Sequence, residues 1–122
     1  MIVGRITNNQ EAIIELEIVG LNRREKIEVV IDTGFDGSLT LPGDLINRLG
    51  FRRAGRRYAI LGDGNTVALE LYRAKVLWHG EEREVPVLRT DGGPLVGMAL
   101  LEGNRVILDV VTDGDVMIEV LS

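Results

Sequence analysis

Three adjacent residues, Asp32, Thr33 and Gly34, are the part of the sequence best suited to chemistry. They directly follow an apolar run that ends at Ile31, so a carboxylate stands where a buried strand leads into a tight loop. A charge in that position is costly to desolvate, and it must therefore be hydrogen-bonded or functional. Glycine lacks a Cβ, so the Gly34 N–H can approach the carboxylate, and the Thr33 hydroxyl can donate or accept a hydrogen bond. In isolation, Asp-Thr-Gly also fits an ordinary turn.

The segments around this tripeptide have the residue spacing of β-strands. Ile14, Leu16 and Ile18 alternate with other positions, as in a half-buried strand. Further strands are predicted at residues 27–31, 67–78, 106–111 and 116–120. Within 67–78 the alternation shifts by one residue near Tyr72 and Arg73, which predicts a bulge or bend in that strand.

Two short segments are predicted to be helical, and both end in glycine, a common helix terminator: residues 42–50 and 98–103. Four Asp-Gly steps predict turns: Asp36-Gly37, Asp63-Gly64, Asp91-Gly92 and Asp113-Gly114. A β run, a glycine turn, a Leu-containing strand and a short helix occur in this order twice, from residue 29 and again from residue 85. This repetition indicates either an internal pseudo-twofold or chance similarity, within one all-β domain over residues 1–122.

Residues 30–39 (Val-Ile-Asp-Thr-Gly-Phe-Asp-Gly-Ser-Leu) resemble the active-site loop of the retropepsin-like (clan AA) aspartic proteases. Residues 58–67 (Tyr-Ala-Ile-Leu-Gly-Asp-Gly-Asn-Thr-Val) stand where that family has its flap hairpin. Residues 94–101 (Pro-Leu-Val-Gly-Met-Ala-Leu-Leu) resemble its hydrophobic-hydrophobic-Gly segment and the short helix that follows. The resemblance covers nearly the whole chain and is strongest to the single-lobed bacterial and archaeal members.

The resemblance implies a closed or nearly closed β barrel with one or two short helices, assembled as a homodimer that hydrolyses peptide bonds in peptide or protein substrates without a cofactor. Only one Asp-Thr-Gly occurs in the chain, so the catalytic pair of carboxylates requires Asp32 from two subunits. By resemblance, Thr33 bonds across the twofold axis and Gly34 contacts substrate. The flap tip, implied to close over the substrate, comprises Gly62, Asp63 and Gly64.

Three residues depart from the family pattern. Phe35 replaces a small residue, adds bulk near the cleft and offers no hydroxyl to the carboxylate. Asp36 is an additional acidic group, and Met98 stands where many relatives have the arginine that pairs with it. Phe35 and the missing arginine motivate an alternative function, a catalytically weak or inactive dimeric peptide-binding or scaffold module on the same fold, although the retention of Asp32, Thr33 and Gly34 together argues against it. A monomeric β-barrel binding domain is a further alternative.

Composition excludes other classes of function. The absence of cysteine excludes disulfides, zinc–thiolate sites and thiol catalysis. The net charge of −5 argues against nucleic-acid binding, and the cluster of arginines at residues 52–57 is interpreted as a solvated loop, with a local anion contact as the alternative. With His79 as the single histidine, neither a transition-metal site nor a serine triad is expected. Asp109 is interpreted as solvent-facing or bonded to a turn, although a buried functional carboxylate there is an alternative.

Location is predicted from the lack of two kinds of segment. The N-terminal residues lack the apolar core of a signal peptide, and no stretch is long enough to span a membrane. We therefore expect a soluble cytoplasmic protein with no membrane partner.

Overall fold

The computed structural model describes residues 1–60 and 63–122. Within these residues the protein is mostly β, with ten strands and two short helices. The strands are β1 (Ile2–Ile6), β2 (Ala12–Val19), β3 (Arg24–Ile31), β4 (Leu39–Pro42), β5 (Arg52–Ile60), β6 (Thr66–Trp78), β7 (Glu81–Thr90), β8 (Leu95–Val96), β9 (Asn104–Leu108) and β10 (Asp115–Val120). The helices are α1 (Gly43–Leu49) and α2 (Met98–Leu101). In the described part of the chain, neither helix is long and apolar enough to cross a membrane.

The strands and helices with the clearest sequence periodicity are confirmed. In β2 the side chains of Ile14, Leu16 and Ile18 are all buried on one face, as their alternation predicts. Strand β3 ends at the residue before the Asp-Thr-Gly tripeptide. Helix α1 ends at Gly50, whose φ of 73° is left-handed and whose N–H donates to the carbonyls of Ile46 and Asn47. The four Asp-Gly steps all lie between strands, and α2 is shorter than predicted.

Three sequence expectations are wrong in detail. The arginine cluster at residues 52–57 lies in strand β5 rather than in a loop. The bulge expected in the strand at 67–78 lies instead in its partner, where the register of β5 shifts between Arg53 and Gly55 opposite an unbroken β6. Val110 and Val111 are outside β9, in the exposed connection to β10, because the backbone turns after Leu108.

The ten strands form one sheet in the order β5-β6-β7-β4-β8-β3-β2-β1-β10-β9. At its centre, β8 pairs parallel with β3 and antiparallel with β4, while β4 pairs parallel with β7. The two repeated sequence units are β3-β4-α1 and β7-β8-α2. The second strand of each unit therefore pairs with the first strand of the other, β8 with β3 and β4 with β7. This reciprocal pairing supports the internal pseudo-twofold rather than chance similarity.

A second contact joins distant parts of the sheet, because the C-terminal part of β6 also pairs antiparallel with β2. Between these strands lies one apolar core, to which most strands and both helices contribute. Trp78 is 6 % exposed and belongs to this core, as expected for a large aromatic residue on an alternating strand. The central strands β3, β8 and β4 pack against this core through their buried side chains.

The position of β8 depends on a buried threonine. The Thr40 hydroxyl, in β4, accepts the N–H of Leu95 at 2.9 Å, and Thr40 is 8 % exposed. We expect Thr40→Val to lower the free energy of unfolding by about 1 kcal/mol, because it leaves the half-buried Leu95 N–H without this acceptor. Thr40→Ser keeps the hydroxyl and should retain most of the stability. Chemical denaturation of both variants measures the difference.

The control for this prediction is Thr66→Val, at an exposed position of β6. A surface substitution of this kind changes stability by about 0.5 kcal/mol or less. Equal losses in Thr40→Val and Thr66→Val would contradict the role assigned to the Thr40 hydroxyl.

Candidate active site

Strand β8 holds the backbone that leads into Asp32. The Asp32 N–H donates to the Val96 carbonyl at 2.9 Å, and the Val30 N–H donates to the Pro94 carbonyl at 3.1 Å. Asp32 itself is half-buried, and its Oδ1 accepts the Gly34 N–H at 2.9 Å. The contact anticipated between Gly34 and the carboxylate is therefore present. It orients one carboxylate oxygen and leaves the side chain partly open to solvent.

The loop after Asp32 is bound to the segment that precedes and begins α2. Backbone N–H groups of Gly97, Met98 and Ala99 donate to carbonyls of the loop, at 3.0, 2.8 and 3.1 Å respectively. Their acceptors are the carbonyls of Ser38, Phe35 and Gly37. The two sequence segments that carry the family resemblance, residues 30–39 and 94–101, are thus in direct contact. Each supplies hydrogen-bond partners for the backbone of the other.

The Phe35 ring packs against two glycines. A Cβ added to Gly37 would lie 2.5 Å from Phe35 Cζ, and a Cβ added to Gly97 would lie 2.5 Å from Phe35 Cδ2 and overlap the Gly37 carbonyl. The half-buried ring therefore occupies space that exists because neither position has a side chain. Sequence reasoning placed the bulk of Phe35 near the cleft but missed this packing against Gly37 and Gly97. The sequence signal for this packing was a large residue, Phe35, at a position where the family has a small one, with glycines nearby in the sequence.

Thr33 and Asp36 form the rim of an open groove beside α2. The groove has a volume of about 620 Å³, and its lining includes Met98, Leu101 and Val106. Met98 is 49 % exposed, so a large apolar side chain faces solvent next to the candidate catalytic loop. The groove offers an apolar surface continuous with the exposed Thr33.

The hairpin of β5 and β6 stands where the resemblance places the flap. Its described tip has a tight turn, in which Asp63 Oδ1 accepts the Asn65 N–H at 3.0 Å and Gly64 has a φ of 86°. Gly62, also predicted at the tip, lies outside the described residues. An ion pair connects the hairpin to the candidate site, since Arg57 Nη2 lies 3.8 Å from Asp36 Oδ1. Sequence reasoning missed this contact because it assigned the arginine cluster to a loop.

The other residues singled out in the sequence lie away from this loop or in an unsuitable environment. His79, in the turn between β6 and β7, places its Nε2 2.7 Å from Asn104 Oδ1. Ser38 is buried, and Asp109 is exposed near the β9–β10 turn. In residues 1–60 and 63–122, no three His, Asp or Glu side chains are grouped so that they could hold a metal ion.

Packing between the loop and α2 generates a stability prediction. We expect Gly97→Ala to lower the free energy of unfolding by about 1–3 kcal/mol or more, because its Cβ would collide with backbone and with the Phe35 ring. Gly93→Ala is the matched control, since no atom lies within 4 Å of a Cβ added there. Thermal and chemical denaturation of the two variants makes the comparison. A Gly97→Ala protein as stable as Gly93→Ala would contradict the close packing.

Comparison with known proteins supplies one informative structural relative. No protein-family model and no curated protein sequence matches the chain. The crystal structure of a retropepsin-like aspartic protease from Rickettsia conorii is similar, with a TM-score of 0.59 and 17 % sequence identity. The similarity covers 98 % of this chain and 90 % of that one. The chain therefore has a retropepsin-like fold.

Proposed function

We propose that this chain is an aspartic endopeptidase whose catalytic pair consists of Asp32 from each of two identical subunits. The observation that carries the proposal is the Asp32 carboxylate. It is half-buried at the end of a central strand, and the Gly34 N–H orients it within a retropepsin-like fold. On this proposal residues 1–122 form a single domain. The pairing of β6 with β2 supports the proposal that its sheet closes into a barrel.

The proposed chemistry follows from placing two carboxyl groups within hydrogen-bond distance. Such a pair shares one proton, because two adjacent negative charges repel strongly in a partly dehydrated site. The ionised carboxylate accepts a proton from water while the water oxygen bonds to the peptide carbonyl carbon. The protonated carboxyl donates its proton to the carbonyl oxygen, which would otherwise become an oxyanion. The carboxyl that took its proton from water then donates it to the amide nitrogen, while the other carboxylate accepts a proton from a hydroxyl of the resulting diol. The C–N bond breaks, and two peptides are released.

The groove beside Thr33 supports the assembly of two subunits. Its lining includes Met98, Leu101 and Val106, and it adjoins the loop that must meet its symmetry mate. A second copy would cover this apolar surface and bring the two Asp32 carboxylates together. In that arrangement Thr33 bonds across the axis and Gly34 contacts the substrate backbone.

The β5–β6 hairpin is the proposed flap, with Gly62, Asp63 and Gly64 at or near its tip. Closure of a hairpin over bound peptide excludes water from the reacting groups and strengthens the electrostatic contacts around them. Phe35 and Asp36 are proposed to border the cleft on the opposite side. Their proposed role is substrate binding rather than proton transfer.

A second candidate function has one observation in its favour. The Phe35 ring packs on Gly37 and Gly97, and that position offers no hydroxyl to support the carboxylate pair. A dimeric peptide-binding or scaffold module with little or no activity would need no such hydroxyl. Direct measurement of cleavage separates the two functions.

Peptide cleavage tests the catalytic proposal. We expect wild-type protein to cleave members of a diverse peptide library, with a bell-shaped pH dependence, because one carboxyl must be ionised and the other protonated. Asp32→Asn should reduce the rate by about 10²–10⁴-fold or more, as expected on loss of a general acid–base group. A hydroxyl-containing transition-state analogue should inhibit the wild type.

Asp109→Asn provides the matched control, since Asp109 is an exposed aspartate whose backbone bonds to Asp115 of β10 and to Val111. Its rate should equal that of the wild type. Cleavage that survives Asp32→Asn would contradict the aspartic mechanism. A folded dimer that cleaves no peptide between about pH 3 and 8 would favour the peptide-binding or scaffold module.

The subunit contact generates a separate prediction. We expect Met98→Glu to weaken dimerisation by at least about tenfold, because it would bury an unpaired charge at the proposed interface. Leu21→Glu is the control, since Leu21 is 79 % exposed and lies beside Gly50, outside the groove. Sedimentation equilibrium measures the dissociation constants. A monomeric wild type, or equal effects of the two substitutions, would contradict the interface.

A further inference from the structure

Positive charge is concentrated on one strand of an otherwise acidic protein. The chain has a net charge of −5, yet Arg52, Arg53, Arg56 and Arg57 lie within six residues of β5. This strand is at one end of the sheet order and forms half of the hairpin proposed as the flap. The segment proposed to cover the substrate is therefore its most basic part.

These arginines have different partners. Arg53 Nε donates to Glu70 Oε2 at 3.0 Å, on the neighbouring strand, and this hydrogen bond lowers the pKa of Glu70 below its usual value. Arg57 has a looser contact, 3.8 Å from Asp36, with side chains that are 48 % and 89 % exposed. An ion pair of that length and exposure contributes little to stability, because solvent screens both charges. Among the described residues, the Arg57 guanidinium thus lies near the active-site loop with only this weak ion pair.

Strand geometry determines which arginine faces the candidate cleft. Successive side chains of a strand point to opposite faces, so Arg56 and Arg57 lie on different faces of the hairpin. The contact with Asp36 identifies the Arg57 face as the one turned toward the active-site loop. Asp36 is four residues after Asp32. A peptide bound between hairpin and loop would therefore pass close to Arg57.

We propose that Arg57 is a specificity-determining residue that binds an acidic side chain of the peptide substrate, close to the scissile bond. This inference rests on the proposed function and adds the class of substrate to it. In the free protein Asp36 acts as a weak counter-ion, and a substrate Asp or Glu replaces it. A guanidinium matches a carboxylate through two parallel hydrogen bonds, a geometry that the present 3.8 Å contact does not achieve. Exclusion of water by the hairpin strengthens the new pair.

The proposal predicts opposite effects for the two members of the resting pair. Arg57→Gln removes the cation and abolishes the preference for acidic peptides. Asp36→Asn removes the competing anion, so the preference should increase. General attraction between an acidic peptide and the basic strand would instead make Arg56→Gln as damaging as Arg57→Gln.

Binding to a non-cleaving background tests the proposal independently of catalysis. Asp32→Asn protein is titrated with fluorescein-labelled decapeptide mixtures in which one position at a time is either Glu or Gln. At one position or more, the Glu peptides should bind at least about tenfold more tightly than the Gln peptides, as expected for one charge-assisted pair. Arg57→Gln should reduce this ratio to about one, and Arg57→Lys should retain part of it. Arg56→Gln, the matched control, should leave it unchanged, and thermal denaturation verifies that each variant is folded.

Several results would overturn the inference. The first is the absence of peptide binding. The second is equal affinity for Glu and Gln peptides at every position, and the third is an affinity ratio that Arg56→Gln lowers as much as Arg57→Gln does. The parallel cleavage assay on wild type distinguishes this failure from failure of the proposed function. Cleavage without acidic preference contradicts only the role of Arg57, whereas acidic preference without cleavage supports that role and contradicts the protease mechanism.

Discussion

The insertion of β8 between β3 and β4 is the constraint on which the rest of the structure depends. Val96 of β8 and Pro94 just before it supply the carbonyls that accept the N–H groups of Asp32 and Val30, and Gly97 just after β8 packs against the loop that follows Asp32. The reciprocal insertion of β4 beside β7 gives the centre of the sheet its approximate twofold character. A carboxylate at the end of β3 is therefore held by hydrogen bonds from a segment more than sixty residues away in the sequence. Such long-range pairing makes the geometry of the loop a property of the whole sheet.

Close packing reinforces this arrangement at the candidate site. Phe35, Gly37 and Gly97 form one steric unit in which the ring takes the space that two missing side chains leave. Because protein interiors are packed this closely, a larger side chain at one of these three positions has little space unless a neighbouring residue also changes. Phe35 is thus accommodated within the loop, whose backbone is hydrogen-bonded to the start of α2.

Electrostatics distinguishes the hairpin from the sheet beneath it. Edge strands expose unpaired backbone groups, and charged side chains on such strands discourage unwanted strand pairing. The arginines of β5 are suited to this role, and Arg57 also lies beside Asp36 of the candidate catalytic loop. A single basic strand therefore both carries charge at an edge of the sheet and contacts that loop.

The sequence by itself determined the strands and helices whose signals are local. The alternation in β2, the apolar run that ends at Ile31 and the helix closed by Gly50 each depend on neighbours within a few residues. The order of the motifs was sufficient to indicate a retropepsin-like fold. Only the tertiary structure showed that the arginine cluster is a strand, since an exposed edge strand needs no apolar alternation. It also showed that the bulge near Tyr72 lies in the partner strand. The tertiary structure also decided which groups surround Asp32. Hydrogen bonds and packing between distant segments produce no periodic pattern in the sequence, so the sequence alone does not reveal them.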